Sequence, residues 1–193
     1  MNRNSRYTLL VSACLLLALS ACAAISLVDT ERRTVLGAYS VEPQIQWSQF
    51  PRGDFVTWSA DGIYLEALRF AKPVTDGNPI YKPMGVKQEK LRVFRKGMTP
   101  NEVMELMADT LSTEGAGDVH TYNLEPYQFG SSPGFRFNID FTTEDGLEME
   151  GIAAGTIEHN KLYMIFYSGA REHYFALHRD AVEQLLASLQ GPM

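Results

Sequence analysis

Residues 135–142 read FRFNIDFT, and apolar and polar positions alternate strictly along them. Phe135, Phe137, Ile139 and Phe141 fall on one side; Arg136, Asn138, Asp140 and Thr142 fall on the other. That two-residue period is the mark of a strand with one buried face. The turn TEDG then leads into LEMEGIAAGTI, and the turn EHNK into LYMIFYS, which predicts a three-stranded meander. In its last strand Tyr163, Ile165 and Tyr167 alternate with Leu162, Met164 and Phe166, so both faces are apolar and the strand belongs inside the sheet. Gly151 and Gly155 are candidate bulge positions in the middle strand.

The period changes to that of a helix after Thr99. Thr99 is placed as N-cap, Pro100 fills the first helical position and Glu102 completes a capping box. Val103, Leu106, Met107 and Leu111 form one apolar stripe, and Gly115 and Gly117 end the helix. A second stripe, Val182, Leu185, Leu186 and Leu189, predicts a terminal helix over 177–189. Upstream, DFVTWS and IYLEALRF flank Asp61-Gly62, which predicts two antiparallel strands over 54–59 and 63–70. TDGNPIYKPMG, with Pro79 and Pro83, reads as loop. A further strand is expected near 119–125. Together these elements give an α+β fold, an antiparallel β-sheet packed against one mid-chain helix and one C-terminal helix.

From about Tyr39 onward this order resembles the PsbP-like α/β sandwich. The resemblance rests on an early strand leading to Pro43 and Trp47, the mid-chain helix, the meander and a terminal helix ending in Ser188-Leu189. It is strongest over 99–190. It implies a fold whose members serve mostly as non-enzymatic accessory or binding proteins, and it does not by itself specify a function.

The start of the chain follows a different logic. Arg3 and Arg6 precede a short apolar run, Tyr7 to Leu19, and no acidic residue occurs before Asp29. That run is shorter than the ~20 residues a spanning helix needs, and small residues follow it, as in a secretory signal peptide. Leu19-Ser20-Ala21-Cys22 resembles the lipobox of bacterial lipoproteins. The resemblance implies recognition of Leu19, Ser20 and Ala21 by the signal peptidase, cleavage before Cys22 and acylation of the Cys22 thiol and the new amino terminus. Ordinary cleavage after Ala23 or Ala24 is the alternative. Ala23, where enterobacterial lipoproteins kept in the inner membrane carry Asp, favours the inner leaflet of the outer membrane, facing the periplasm. The expected organisation is a signal peptide over 1–21, a lipidated N-terminus and tether over 22–38, and one globular domain over 39–190.

Charge and cysteine content sharpen this picture. Loss of Arg3 and Arg6 with the signal takes the basic count from 17 to 15 against 23 acidic residues, so the net charge moves from −6 to −8. Such a chain is a poor ligand for nucleic acid or anionic lipid faces. Attachment to the membrane is expected through covalent lipid on Cys22. Cys14 leaves with the signal, so no thiol remains for a disulfide. Arg32-Arg33 reads as solvated tether charge.

No constellation of residues spells an enzyme. Gly130-Ser131-Ser132-Pro133-Gly134 matches G-x-S-x-G, but it precedes a strand where that motif needs a helix, and Pro133 lacks the N–H an oxyanion hole would use. His120, His159, His173 and His178 show no metal-ligand spacing, and Asp145, Glu148 and Glu150 read as a solvated strand face. No catalytic residue, metal or cofactor is assigned. The chain reads as an accessory or binding domain for an envelope protein or component. A small-ligand or lipid carrier is the alternative. Its site would be a groove between sheet and terminal helix, with Tyr163 and Tyr167 as lining and Arg171 reading an anionic end; core packing is the favoured account of those aromatics.

Overall fold

The computed structural model describes residues 25–82, 86–87 and 91–191. The lipobox residues Leu19, Ser20, Ala21 and Cys22, and Pro83 of the expected loop, lie outside the described residues. Among the described residues, eleven strands and two helices follow in chain order: β1 (Ser26–Val28), β2 (Arg33–Val35), β3 (Tyr39–Val41), β4 (Trp47–Arg52), β5 (Phe55–Ser59), β6 (Glu66–Ala71), β7 (Val74–Thr75), α1 (Pro100–Glu114), β8 (Gly117–Phe129), β9 (Ser132–Thr142), β10 (Glu148–Glu158), β11 (Lys161–Ala170) and α2 (Tyr174–Ala187). Eight strands form an antiparallel sheet in the order β1-β4-β5-β6-β11-β10-β9-β8; β7 also pairs with β11, and β2 and β3 make a separate ribbon. The expected α+β fold is the one observed.

One helix covers each face of the sheet. On the first face α1 lays Val103, Leu106, Met107 and Leu111 against Phe135, Phe137 and Ile139 of β9 and Leu162, Met164 and Phe166 of β11. On the second, α2 lays Val182, Leu185 and Leu186 over Tyr163, Ile165 and Tyr167, together with Trp47, Trp58 and Leu68. The two-sided apolar pattern of β11 thus feeds two cores. Each such fully buried side chain contributes about 1.5–3 kcal/mol. Tyr39 reaches the central strand from the β2–β3 ribbon: its hydroxyl donates to Ala71 O at 2.6 Å and accepts from Met164 N at 3.2 Å. Burial pushes that phenol well above its ordinary value of 10.0.

The caps form where the sequence places them. Thr99 Oγ1 accepts from Glu102 N, and the Glu102 carboxylate accepts from Thr99 N at 2.7 Å. The donation from Thr99 N, with a second from Thr99 Oγ1 at 2.9 Å, pulls the Glu102 carboxyl below its usual range. His159 and Asn160 both adopt positive φ, 50° and 60°, in the two-residue turn joining β10 to β11. This is the left-handed geometry that tight hairpins favour. The residues behind the PsbP-like resemblance also meet. Trp47 Nε1 donates to Pro43 O at 2.9 Å, and Ser188 Oγ accepts from Glu42 N at 2.9 Å.

Five expectations are corrected. Residues 22–38 are not all tether: β1 pairs with β4, β2 pairs with β3, and Val28 and Val35 are buried in the second core. The fold is under way by Ser26, ahead of Tyr39. Arg32 is not free tether charge either; it pairs with Glu42 at 2.8 Å and donates to Ser188 O at 3.0 Å. Gly151 and Gly155 are not bulges, since β10 keeps register with both neighbours. A Cβ on Gly151 would lie 2.8 Å from the Phe166 ring and 2.9 Å from an Ile139 methyl, so that glycine is a packing requirement. The register shifts fall instead in β8, near Asp118 and Asn123, both at positive φ, and that strand runs well beyond 119–125. Finally α2 begins at Tyr174, not 177, because Tyr167 Oη donates to Tyr174 O and draws the first turn onto the sheet.

Candidate functional site

Between β5 and β6 the chain does not make the tight hairpin that Asp61-Gly62 suggested. Residues 60–65 form a longer loop, and a carboxylate organises it. Glu66 opens β6 with its side chain turned inward and is 0% exposed. Its Oε1 accepts from Ser59 Oγ at 2.7 Å, from Ala60 N and from Asp61 N at 3.0 Å. Ser59 Oγ in turn accepts from Gly62 N at 2.8 Å. Three donors on one oxygen fix the orientation of the group. The other oxygen, Oε2, is buried with no hydrogen-bond partner, and it is the one such side-chain atom found among the described residues. A buried acceptor left unpaired costs about 1–3 kcal/mol, so its persistence calls for a reason.

The same loop meets α2. His178 Nε2 and Asp61 Oδ2 lie 2.6 Å apart, and the imidazole packs on Trp47 with ring centroids 5.9 Å apart. One ligand atom each from Asp61, Glu66 and His178 lie within 4.8 Å of one another. His178 is 13% exposed at its side chain and Asp61 40%, so the cluster opens to solvent on the Asp61 side and closes on the Glu66 side. Tyr167 borders it: burial, followed by the charges of Glu66 and Asp61, holds its phenol well above 10.0. The sequence presents Asp61 as a turn residue and marks neither Glu66 nor His178 as a ligand. The one visible signal is an acidic residue inside the stretch LEALRF, which is otherwise apolar except for Arg69.

The residues suggested for a carrier groove do not come together as a groove. Tyr163 and Tyr167 are buried under α2 in the second core, with Tyr167 stacked on Phe175. Arg171 lies beyond the strand and is surrounded by carboxylates: Asp140 at 3.1 Å, Glu148 at 2.7 Å and Glu150 at 3.1 Å. An anionic ligand would have to displace all three. The acidic face read from Glu148 and Glu150 is therefore internally neutralised in part. Asp140 also accepts from Tyr122 Oη at 3.1 Å. Arg136 makes a similar tie across the sheet, bidentate to Glu183 of α2 at 2.8 and 3.1 Å.

Ser132 starts β9, and its hydroxyl donates to Glu158 at 2.7 Å. The neighbouring His159 is 84% exposed at its side chain and points its Nδ1 at that same Glu158. This is not the serine–imidazole contact that activates a nucleophile. His173 sits at the N-cap of α2 against Tyr174, apart from the His178 cluster.

The architecture is similar to a solved structure, the solution structure of cyanobacterial PsbP (CyanoP) from Synechocystis sp. PCC 6803. The TM-score is 0.52 at 13% sequence identity, over 90% of this chain and 99% of that chain. The chain has the PsbP-like fold. At that identity the likeness speaks to the fold alone. No family model and no curated protein matches the sequence. A PsbP-like sheet with a helix on each face thus provides the frame on which the Asp61–Glu66–His178 cluster is mounted.

Proposed function

We propose that this chain is a bacterial lipoprotein whose PsbP-like domain serves as a non-enzymatic accessory or binding module of the cell envelope. Lipid on Cys22 would hold it in the inner leaflet of the outer membrane, facing the periplasm. The observation that carries this reading is the signal Leu19-Ser20-Ala21-Cys22 directly ahead of a domain whose first strand begins at Ser26. The acidic balance, −8 after loss of the signal, leaves adhesion to lipid rather than charge as the means of attachment. The engagement of Ser132 with Glu158 supports a role other than hydrolysis. An envelope protein or component is the partner class.

Replacement of Cys22 by Ser tests the anchor. The expected result is loss of labelled-palmitate incorporation and release of the domain into the soluble fraction. Retention in the membrane with unchanged labelling would rule the anchor out. Crosslinking from the domain surface in cells should then capture a defined envelope partner.

The carrier alternative now has a different location. A hollow of about 240 Å³ lies between the 60–65 loop and the end of α1, lined by Ile63, Tyr64, Arg69, Leu111, Phe141 and Met149. That is below the 300–1,000 Å³ usual for ligand pockets, so only a small ligand would fit. Native mass spectrometry of the gently extracted protein distinguishes a carrier from a protein-binding module by the mass it retains.

A further inference from the structure

We propose that Asp61, Glu66 and His178 form a binding site for a divalent cation, with zinc the preferred ion. The inference is independent of the lipid anchor and goes beyond the accessory role. Two observations carry it. The first is the convergence of two carboxylates and an imidazole from the 60–65 loop, β6 and α2, their ligand atoms within 4.8 Å. The second is the orphaned Oε2 of Glu66, buried in a side chain that is 0% exposed.

The donor set selects the ion. One nitrogen and two carboxylates suit zinc, which takes four ligands in a tetrahedron, whereas calcium needs six to eight oxygens. Zinc–ligand bonds of about 2.0–2.2 Å put neighbouring ligand atoms roughly 3.4 Å apart. His178 and Asp61, at 2.6 Å, are closer than that and are held by a hydrogen bond. The ion would take the place of that hydrogen bond, with the imidazole in its Nδ1–H tautomer and Nε2 free to coordinate, and would spread the pair by under an ångström. Asp61 belongs to a solvent-facing loop that can yield, while Glu66 and His178 are fixed by their surroundings.

Those surroundings are the kind that position ligands. Ser59 Oγ, Ala60 N and Asp61 N all donate to Oε1 of Glu66 and leave Oε2 without a partner. Trp47 packs beside the His178 ring, tilted 57° to it. The contrast with Arg171 is instructive: there three carboxylates already share a guanidinium. Around Glu66 the described residues place no lysine or arginine in an ion pair with Glu66 or Asp61. With three protein ligands, the fourth position on the exposed Asp61 side is open to water or to a donor from a partner.

The test uses the full chain in detergent, stripped with chelator and dialysed against Zn²⁺, with Mn²⁺ and Ca²⁺ as parallel arms. Elemental analysis should find one zinc per chain, and zinc should raise the melting temperature. Glu66→Gln and His178→Gln, which preserve size and a hydrogen-bonding group, should each weaken zinc binding at least tenfold and abolish the thermal shift. Asp61→Asn should do so to a smaller degree. Circular dichroism identifies any variant that fails to fold; His178→Gln, on the rim, is the variant least exposed to that failure. Sub-stoichiometric zinc on the folded wild-type chain would overturn the proposal. So would stoichiometric binding that the folded variants retain, or preference for calcium.

Discussion

Two groups of carboxylates lie on the same molecule and are treated in opposite ways. Asp140, Glu148 and Glu150 surround Arg171 at the open end of the meander, where water and the guanidinium share the work of neutralising them. Glu66 and Asp61 meet His178 at the junction of sheet, loop and terminal helix, where one of the two carboxylates has no access to solvent. The first group is screened, adjustable and of small energetic weight. In the second, Glu66 is held out of water by its donors, and each of its atoms matters, because unpaired polar atoms in a low-dielectric setting are costly. Both groups are acidic residues in the sequence; the fold decides which of them are decoration on a wet surface and which are structural.

The comparison has measurable consequences. Glu66→Ala should have the largest effect, a loss of about 2–3 kcal/mol in urea denaturation, because the donors of Ser59, Ala60 and Asp61 lose their shared acceptor. Glu66→Gln keeps that acceptor and should cost less than half as much. If Ala and Gln behave alike, the three-donor arrangement is not what holds the 60–65 loop.

Alkaline titration probes the same corner. The Tyr167 phenol is held above 10.0 by burial, with Glu66 and Asp61 adding to the shift. An unfolded chain releases that proton near 10, while the folded chain retains it. The contribution is therefore fully present below pH 10 and falls by up to about 1.4 kcal/mol for each unit above it, until the folded group ionises. Tyr39 acts in the same direction. Tyr167→Phe should flatten the decline in stability measured above pH 10, and Glu66→Gln should bring the tyrosinate absorbance of Tyr167 to lower pH.

His178→Ala should cost about 1 kcal/mol, through the lost hydrogen bond to Asp61 and the uncovered Trp47 ring. Near-ultraviolet circular dichroism, which reports the indole environment, is the matching readout. Arg171→Gln should have the smallest effect: a slight drop in melting temperature at low ionic strength that vanishes in high salt. A large, salt-insensitive drop would show that the two groups are less different than their exposure implies.

Legibility follows the same division. The meander, the capped helix and the apolar terminal stripe could be read because each is a local period with its own start and stop residues. Thr99, Pro100 and Glu102 sit within four residues, and Phe135 to Phe141 lie within seven. The ribbon strands are not legible in the sequence because three residues such as RTV carry no period, and only pairing with Tyr39–Val41 makes them a strand. The same applies to the start of α2, where His173 gives no capping signal. The Asp61–Glu66–His178 cluster was invisible for a deeper reason. His178 lies 117 residues from Asp61 along the chain, and only the packing of α2 over the second face brings them together. Conversely, Tyr163, Tyr167 and Arg171 are neighbours in sequence and part company in space, because a strand's end separates what it buries from what it leaves in water.

The early start of β1 bears on what an anchored domain could reach. From Cys22 to Ser26 is four residue steps, and at about 3.3–3.6 Å per step they span no more than ~14 Å. That is about the radius of gyration expected for a domain of this size. A molecule lipidated at Cys22 would therefore not float on a leash through the periplasm. It would stand on the bilayer like a mooring post, with the β1–β4 edge and the exposed side chains of Ile25 and Leu27 at its base. Whatever it engages would have to come down to the membrane to be met.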